Sequence, residues 1–267
     1  MTTGFTPFYR GGSGSPLVLI HGFTDTWRGW ELVLPSLERD HDVLAPTLAG
    51  HAGGPPLPPG ADESVLVDAL EEAMDEAGFE TAHIAGNSLG GFAALQLAER
   101  GRADSVVLLA PAGGWPGGGG LSEGLVSYFR QMHGMVVAAV PHIDAIVSTA
   151  EGRRQATSLI TENYEHIPPG LIAHQVRGVA ACEDAVRLVE LGREVGWSLD
   201  PGKINCPVRV VWGTEDRILP WPSAAERFRT ESLPDADWVV LQGVGHCPQL
   251  DVPEQTVGLI SDFAAQR

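Results

Sequence analysis

The hydrophobic pattern of this 267-residue chain changes period along its length. In the first part, short unbroken apolar runs end in loops containing glycine or proline. Leu17-Val18-Leu19-Ile20, Val43-Leu44-Ala45 and Val106-Val107-Leu108-Leu109 show no alternation, as expected of strands covered on both faces in a parallel sheet. Residues 4–10 predict an edge strand and 11–16 a turn. Between the strands, residues 27–38 set Trp30, Leu32, Val33, Leu34 and Leu37 near helical spacing, and residues 63–77 do the same with Val65, Leu66, Val67, Leu70 and Met74. Residues 81–85 predict a further strand, which passes through a tight turn into a helix of small and aliphatic residues ending near Ala98. Strands alternating with helices imply βαβ units.

The pattern then loses its strands. The glycine-rich stretch 112–120 predicts a flexible joint, and from residue 121 to about 201 positions such as Val126, Met132, Val136, Ile172, Val176 and Val189 have helical character. Strand character returns at 208–213 and 238–241, with helices predicted over 222–230 and 253–265. The expected organisation is a core from 1–111, an inserted helical cap over 112–201, and the rest of the core from 202–267.

Composition narrows the functional classes. The formal charge is −17, and Lys203 is the sole lysine. Phosphate binding needs a basic stripe, so neither nucleic acid nor an anionic membrane is an expected partner, and the acidity reads as solubility. No apolar run approaches the ~20 residues that span a bilayer. Residues 1–12 lack the basic segment and apolar core of a secretory signal. Cys182, Cys206 and Cys247 are dispersed and odd in number, as expected of reduced thiols in a cytoplasmic protein. No metal motif such as H-E-x-x-H and no cofactor motif occurs, so the expected partner is a small-molecule substrate.

Three strand ends carry the candidate chemistry. Gly86-x-Ser88-x-Gly90 places a serine on a strand-to-helix turn so sharp that side chains two residues either side would collide with backbone. Asp216 follows the strand at 208–213, with Glu215 beside it as the alternative acid. His246 follows the strand at 238–241. Loops at the carboxyl ends of parallel strands converge on one crevice, and Ser, Asp and His arriving there in this order meet the requirement of a catalytic triad. His83 falls in a buried strand, His21 is assigned to holding its own loop, and the histidines at 133, 142, 166 and 174 fall in the insertion.

On these residues the sequence resembles the α/β-hydrolase family over nearly the whole core. His21-Gly22-Phe23 is similar to the family's oxyanion loop and Gly86 to Gly90 to its nucleophile elbow. Gly213-x-x-Asp216-x-x-x-Pro220 resembles its acid loop, and Gly245-His246 with Asp251-Val252-Pro253-Glu254 its histidine loop. Thr47 departs from the family's usual acid after the preceding strand, a position outside the triad. The resemblance implies a mostly parallel central sheet flanked by helices, with an inserted helical cap. It also implies Ser88 as nucleophile, His246 as base and Asp216 as its orienting acid. The backbone N–H groups of Phe23 and Leu89 form the implied oxyanion hole, with Thr24 the alternative second donor.

The expected reaction is hydrolysis of a small or medium, apolar carboxylic ester or lactone. The alternative is C–C bond hydrolysis of a diketone or vinylogous acid, since some enzymes of that kind share the Gly-Asn-Ser-x-Gly-Gly elbow. An alternative of another class is a ligand-binding receptor with little turnover. Dehalogenase and epoxide hydrolase chemistry is disfavoured, because both use an aspartate where Ser88 stands.

Overall fold

The computed structural model describes residues 4–62, 64–116 and 123–265. Of the joint expected at 112–120, residues 117–120 lie outside the described residues, and Ala112, Gly113 and Gly114 are buried. The chain runs β1 (Phe8–Gly12), β2 (Ser15–Ile20), a 3-10 turn (Trp27–Trp30), α1 (Leu34–Leu37), β3 (His41–Pro46), α2 (Val65–Ala77), β4 (Ala82–Asn87), α3 (Leu89–Glu99) and β5 (Ala103–Leu109). The helices α4 (Glu123–Ala139), α5 (Ile143–Val147), α6 (Ala150–Thr157), α7 (Pro169–Ala181) and α8 (Ala185–Val195) follow. The chain closes with β6 (Val208–Gly213), β7 (Asp237–Leu241), α9 (Pro248–Asp251) and α10 (Pro253–Ala264).

The seven strands form one sheet in the order β1-β3-β2-β4-β5-β6-β7. β1 pairs antiparallel with β3, and every other pairing is parallel. The unbroken apolar runs have a direct cause. Val18, Ile20, Ile84, Val106, Leu108 and Val210 are buried on one face of the sheet with residues of α2 and α3. Their neighbours Leu17, Leu19, Ala85, Val107, Leu109 and Val211 are buried on the other with α1 and α10. With both pleat directions covered, alternation has nothing to report. Each buried valine, leucine or isoleucine among them contributes roughly 1.5–3 kcal/mol by leaving water.

Four elements differ from the sequence expectation. The helix expected over 27–38 is split into the 3-10 turn and α1. Pro35 has no N–H to continue a helix from the turn, and Thr26 caps the turn by accepting from the Arg28 amide. The helix expected over 222–230 is a 3-10 turn at Ser223–Ala225 followed by a π turn at Phe228–Ser232. Here the Arg227 amide donates to Gly114 O at 2.8 Å, a long-range bond in place of a helical one. β1 begins at Phe8 and runs to Gly12, because its register with β3 reaches Asp42. The short helix α9 was not expected.

Candidate active site

The turn between β4 and α3 holds Ser88 at φ 54° and ψ −116°. Left-handed backbone is rare for a residue with a Cβ, and such strain persists where surroundings over-determine it. Those surroundings are visible. Ser88 N–H donates to Leu109 O at 2.9 Å, and Ser88 O accepts from Ala112 N–H at 2.9 Å and Gly91 N–H at 3.0 Å. A Cβ at Gly86 would lie 2.3 Å from Gly90 O, and one at Gly90 would lie 2.2 Å from Ile20 O. Both glycines are therefore sterically required. Leu89 is the first residue of α3, so its N–H has no intrahelical acceptor.

The acid and histidine loops meet beside this turn. A Cβ at Gly213 would lie 2.1 Å from Val244 O, so the end of β6 reaches the histidine loop only as glycine. His246 Nδ1–H donates to Asp216 Oδ2 at 2.7 Å, and the two side chains are 4% and 0% exposed. Asp216 Oδ1 accepts from the amides of Ile218 at 2.9 Å and Leu219 at 2.7 Å, which fixes the carboxylate plane. Glu215 is exposed and accepts from Thr214 Oγ1 instead. Of the two adjacent acids, only Asp216 meets the histidine.

Ser88 and His246 line one cavity of about 810 Å³, together with Phe23, Thr24 and Leu89. Among the described residues, the amides of Phe23 and Leu89 donate to no other protein group. The oxyanion-type loop is held close to the serine, since a Cβ at Gly22 would lie 3.3 Å from Ser88 Cβ. His21 clamps that loop: its Nε2 accepts from Leu48 N–H at 2.9 Å, leaving Nδ1–H to donate to Gly22 O at 2.7 Å. Burial, and then the neighbouring His51, hold its pKa well below the ordinary imidazole value, so it is neutral. Phe23 is wedged edge-on against Phe129 of α4 and His51, with centroids 5.4 Å and 6.1 Å away. The far wall is apolar and comes from α4, α7 and α8, including Val136, Val176, Val179 and Leu188.

Several contributors were not assigned from sequence. Asn87, noted only as part of the elbow pattern, is 2% exposed. Its Nδ2 donates to Leu109 O and His246 O, both at 3.0 Å, and its Oδ1 accepts from Gln249 Nε2 at 3.1 Å. It thereby joins the serine turn to the histidine loop. Cys247 lines the cavity, but burial, with Asp25, Asp216 and Asp251 nearby, pushes its thiol well above the usual range. It remains a thiol and donates weakly to Asn87 Oδ1. Thr47, which departs from the family pattern, is buried and donates to Thr6 O at 3.0 Å, away from the serine. Of the insertion's histidines, His133 lines the cavity, His166 donates to Leu250 O at 2.7 Å, and His174 meets Thr26 Oγ1 at 3.2 Å. A buried polar side chain at a strand end announces that it needs partners. Which partners is a tertiary fact.

A mostly parallel sheet with a serine on a strand-to-helix turn, lining one cavity with a histidine held by an acid after β6, defines the class of α/β hydrolases. The family model described as "Alpha/beta hydrolase family" matches residues 17–259, and the chain belongs to that family. Among its relatives is "Epoxide hydrolase EphH" of Mycobacterium tuberculosis, 34% identical over 205 residues, covering 75% of this chain and 94% of the relative. The "2-hydroxymuconate semialdehyde hydrolase" of Pseudomonas sp. is 29% identical over 283 residues, covering 98% of this chain and 90% of the relative. A solved esterase from Thermogutta terrifontis superposes with a TM-score of 0.75 at 21% identity, covering 97% of this chain and 92% of that one, a likeness of fold.

Proposed function

We propose that the chain is a serine hydrolase that cleaves a small or medium, largely apolar carboxylic ester or lactone through an acyl-enzyme on Ser88. One observation carries this reading: Ser88, on its strained turn, shares a cavity with a histidine whose other ring nitrogen is bonded to a buried carboxylate. His246 takes the Ser88 proton through Nε2 as Oγ attacks the carbonyl carbon. Asp216 fixes the tautomer and stabilises the imidazolium. The N–H groups of Phe23 and Leu89 hold the oxyanion, aided by the positive end of the α3 dipole. Collapse of the tetrahedral intermediate passes the proton from His246 to the leaving alcohol. The same histidine then activates water to release the acyl group. Residues 112–201 act as the cap, whose apolar wall and a volume of about 810 Å³ suit a ligand of this size. The buried thiols Cys182 and Cys247 are in keeping with a cytoplasmic setting.

The epoxide hydrolase relative raises another chemistry. Opening an epoxide on Ser88 would leave an alkyl ether, which a histidine-activated water does not hydrolyse, whereas an acyl ester is readily hydrolysed. Ser88 therefore favours acyl transfer. The semialdehyde hydrolase relative, with the Gly86-Asn87-Ser88 elbow, supports C–C bond hydrolysis as a second reading.

Ser88→Ala is expected to abolish both p-nitrophenyl ester hydrolysis and labelling by a fluorophosphonate while the circular dichroism spectrum is retained. Labelling that persists at another serine would sink the assignment. A parallel screen of esters by acyl length and of a vinylogous diketone acid separates the two readings by their kcat/KM.

A further inference from the structure

The apolar cavity wall is interrupted where Asp25 and Gln175 meet. Asp25 lies two residues after Phe23 on the oxyanion-type loop, and Gln175 comes from α7; both line the cavity. Gln175 is only 8% exposed and sits in the wall beside Ile172, Val176 and Val179. Its amide faces the Asp25 carboxyl, and among the described residues it has no other hydrogen-bond partner. Asp25 Oδ1 accepts from Thr26 N–H at 2.8 Å. Its Oδ2 occupies space that Gly29 leaves open, since a Cβ there would come within 2.1 Å of it. Burial pushes the carboxyl up to about 7, against the opposing pull of the Thr26 amide and Gln175.

The loop is also strained at this point. Thr24 has φ 61°, an outlier for a β-branched residue. The Asp25 N–H turns back to Gly22 O at 3.3 Å, and Gly22 packs against Ser88 Cβ. Asp25 therefore belongs to the same turn that packs against Ser88, and both residues line the cavity. A carboxyl and an amide in an apolar wall cost free energy unless polar partners meet them. A tie to Thr26 N–H accounts for one carboxylate oxygen and leaves the Gln175 amide oxygen without a role.

We propose that Asp25 and Gln175 form a polar subsite that recognises a hydroxyl group on the acyl chain of the substrate, a few bonds from the carbonyl attacked by Ser88, while the rest of the chain fills the apolar cavity. The proposal rests on the serine-hydrolase reading and narrows it from esters in general to hydroxyacyl esters. A hydroxyl both donates and accepts, so it can bond to the carboxyl in either protonation state and to the Gln175 amide. An ammonium group fits less well, because it would shed its water beside a carboxyl whose surroundings oppose charge.

The test compares kcat/KM of the purified chain on p-nitrophenyl 3-hydroxybutanoate and p-nitrophenyl butanoate, each divided by its hydroxide-catalysed rate. The hydroxy ester is expected to be favoured by about tenfold or more, the scale of one well-placed hydrogen bond. That ratio should fall toward one in Asp25→Leu and in Gln175→Leu, which change different elements, with circular dichroism used to select folded variants. A disturbed loop slows both esters together and cancels from the ratio. A parent that treats the two esters alike, or a folded Leu variant that keeps the parent's ratio, overturns the subsite. Failure of the underlying reading looks different: neither ester is hydrolysed, or Ser88→Ala hydrolyses both.

Discussion

Asp251 is the buried acid whose replacement should be felt furthest from its own position. It is 2% exposed. Its Oδ1 accepts from Asn163 N–H at 2.6 Å and Asn163 Nδ2 at 2.9 Å, and its Oδ2 from Glu162 N–H at 3.0 Å and Gly245 N–H at 2.5 Å. One carboxylate thus ties the segment after α6 to the residue before His246. In Asp251→Asn one oxygen becomes an NH2 group, so in either amide orientation two N–H donors face a donor. A hydrogen bond to a charged group is worth about 1.5–3 kcal/mol, so losing two costs roughly 3–6 kcal/mol, against a total stability of about 5–15 kcal/mol. With a urea slope of about 2–3 kcal/mol/M, the midpoint should fall by at least about 1 M. The histidine loop also loosens, and a misplacement near 1 Å costs about 10²-fold in rate, so kcat on a p-nitrophenyl ester should drop by about 10–100-fold in folded protein. Urea denaturation and ester kinetics on the same preparation decide the matter. A variant within about 0.5 kcal/mol of the parent and with its kcat would show that the carboxylate charge is not what joins these segments.

Asp216→Asn should lower kcat by about 10⁴-fold because it removes the carboxylate bonded to His246, whereas Glu215→Gln should change it little; the reverse result in ester kinetics would move the acid to Glu215. Gly90→Ala should destabilise by about 3 kcal/mol or prevent folding, because its Cβ would meet Ile20 O at 2.2 Å. Gly134→Ala, in α4 with nothing within 4 Å, should stabilise by about 0.5–1 kcal/mol in the same denaturation assay. Asp25 titrates at about 7 in the folded chain and near ~3.9 when unfolded, so between these values the native state holds a proton that the unfolded chain has released. Its effect on stability is nil below about pH 4 and grows unfavourably up to about pH 7, so Asp25→Asn should gain on the parent by a few kcal/mol across that window; parallel pH–stability curves would refute this.

The elements readable from sequence were those whose cause is local or general. β2, β3 and β5 stood out because a strand covered on both faces carries an unbroken apolar run, and the serine turn stood out because Gly86 and Gly90 have no room for a Cβ. The expected helices over 27–38 and 222–230 failed for the opposite reason. Their apolar spacing is helical, but Pro35 interrupts the first and a bond from Arg227 to Gly114 O redirects the second. The same holds at the site. Asn87 and Asp251 were visible only as members of family patterns and Gln175 only as a polar residue in a helix, because the groups that give them a role are on other segments: His246 and Gln249, Glu162 and Asn163, and Asp25.

These contacts also change what the helices between β5 and β6 do. The histidine loop is held from three directions. Asn87 grips the His246 carbonyl from β4, Asp216 grips its ring from the acid loop, and the residues after α6 grip the loop through Asp251 and through Cys247 N–H donating to Ile160 O at 2.9 Å. The last of these is packed so closely that a Cβ at Gly245 would lie 2.9 Å from Ile160 O. A cap that only roofed the cavity would influence which chain fits and leave the base alone. Here the segment after α6 shares a seam with the His246 loop, so on the proposed mechanism changes at 160–163 should alter kcat as well as selectivity. On that mechanism, specificity and alignment would be coupled through the seam at Asp251.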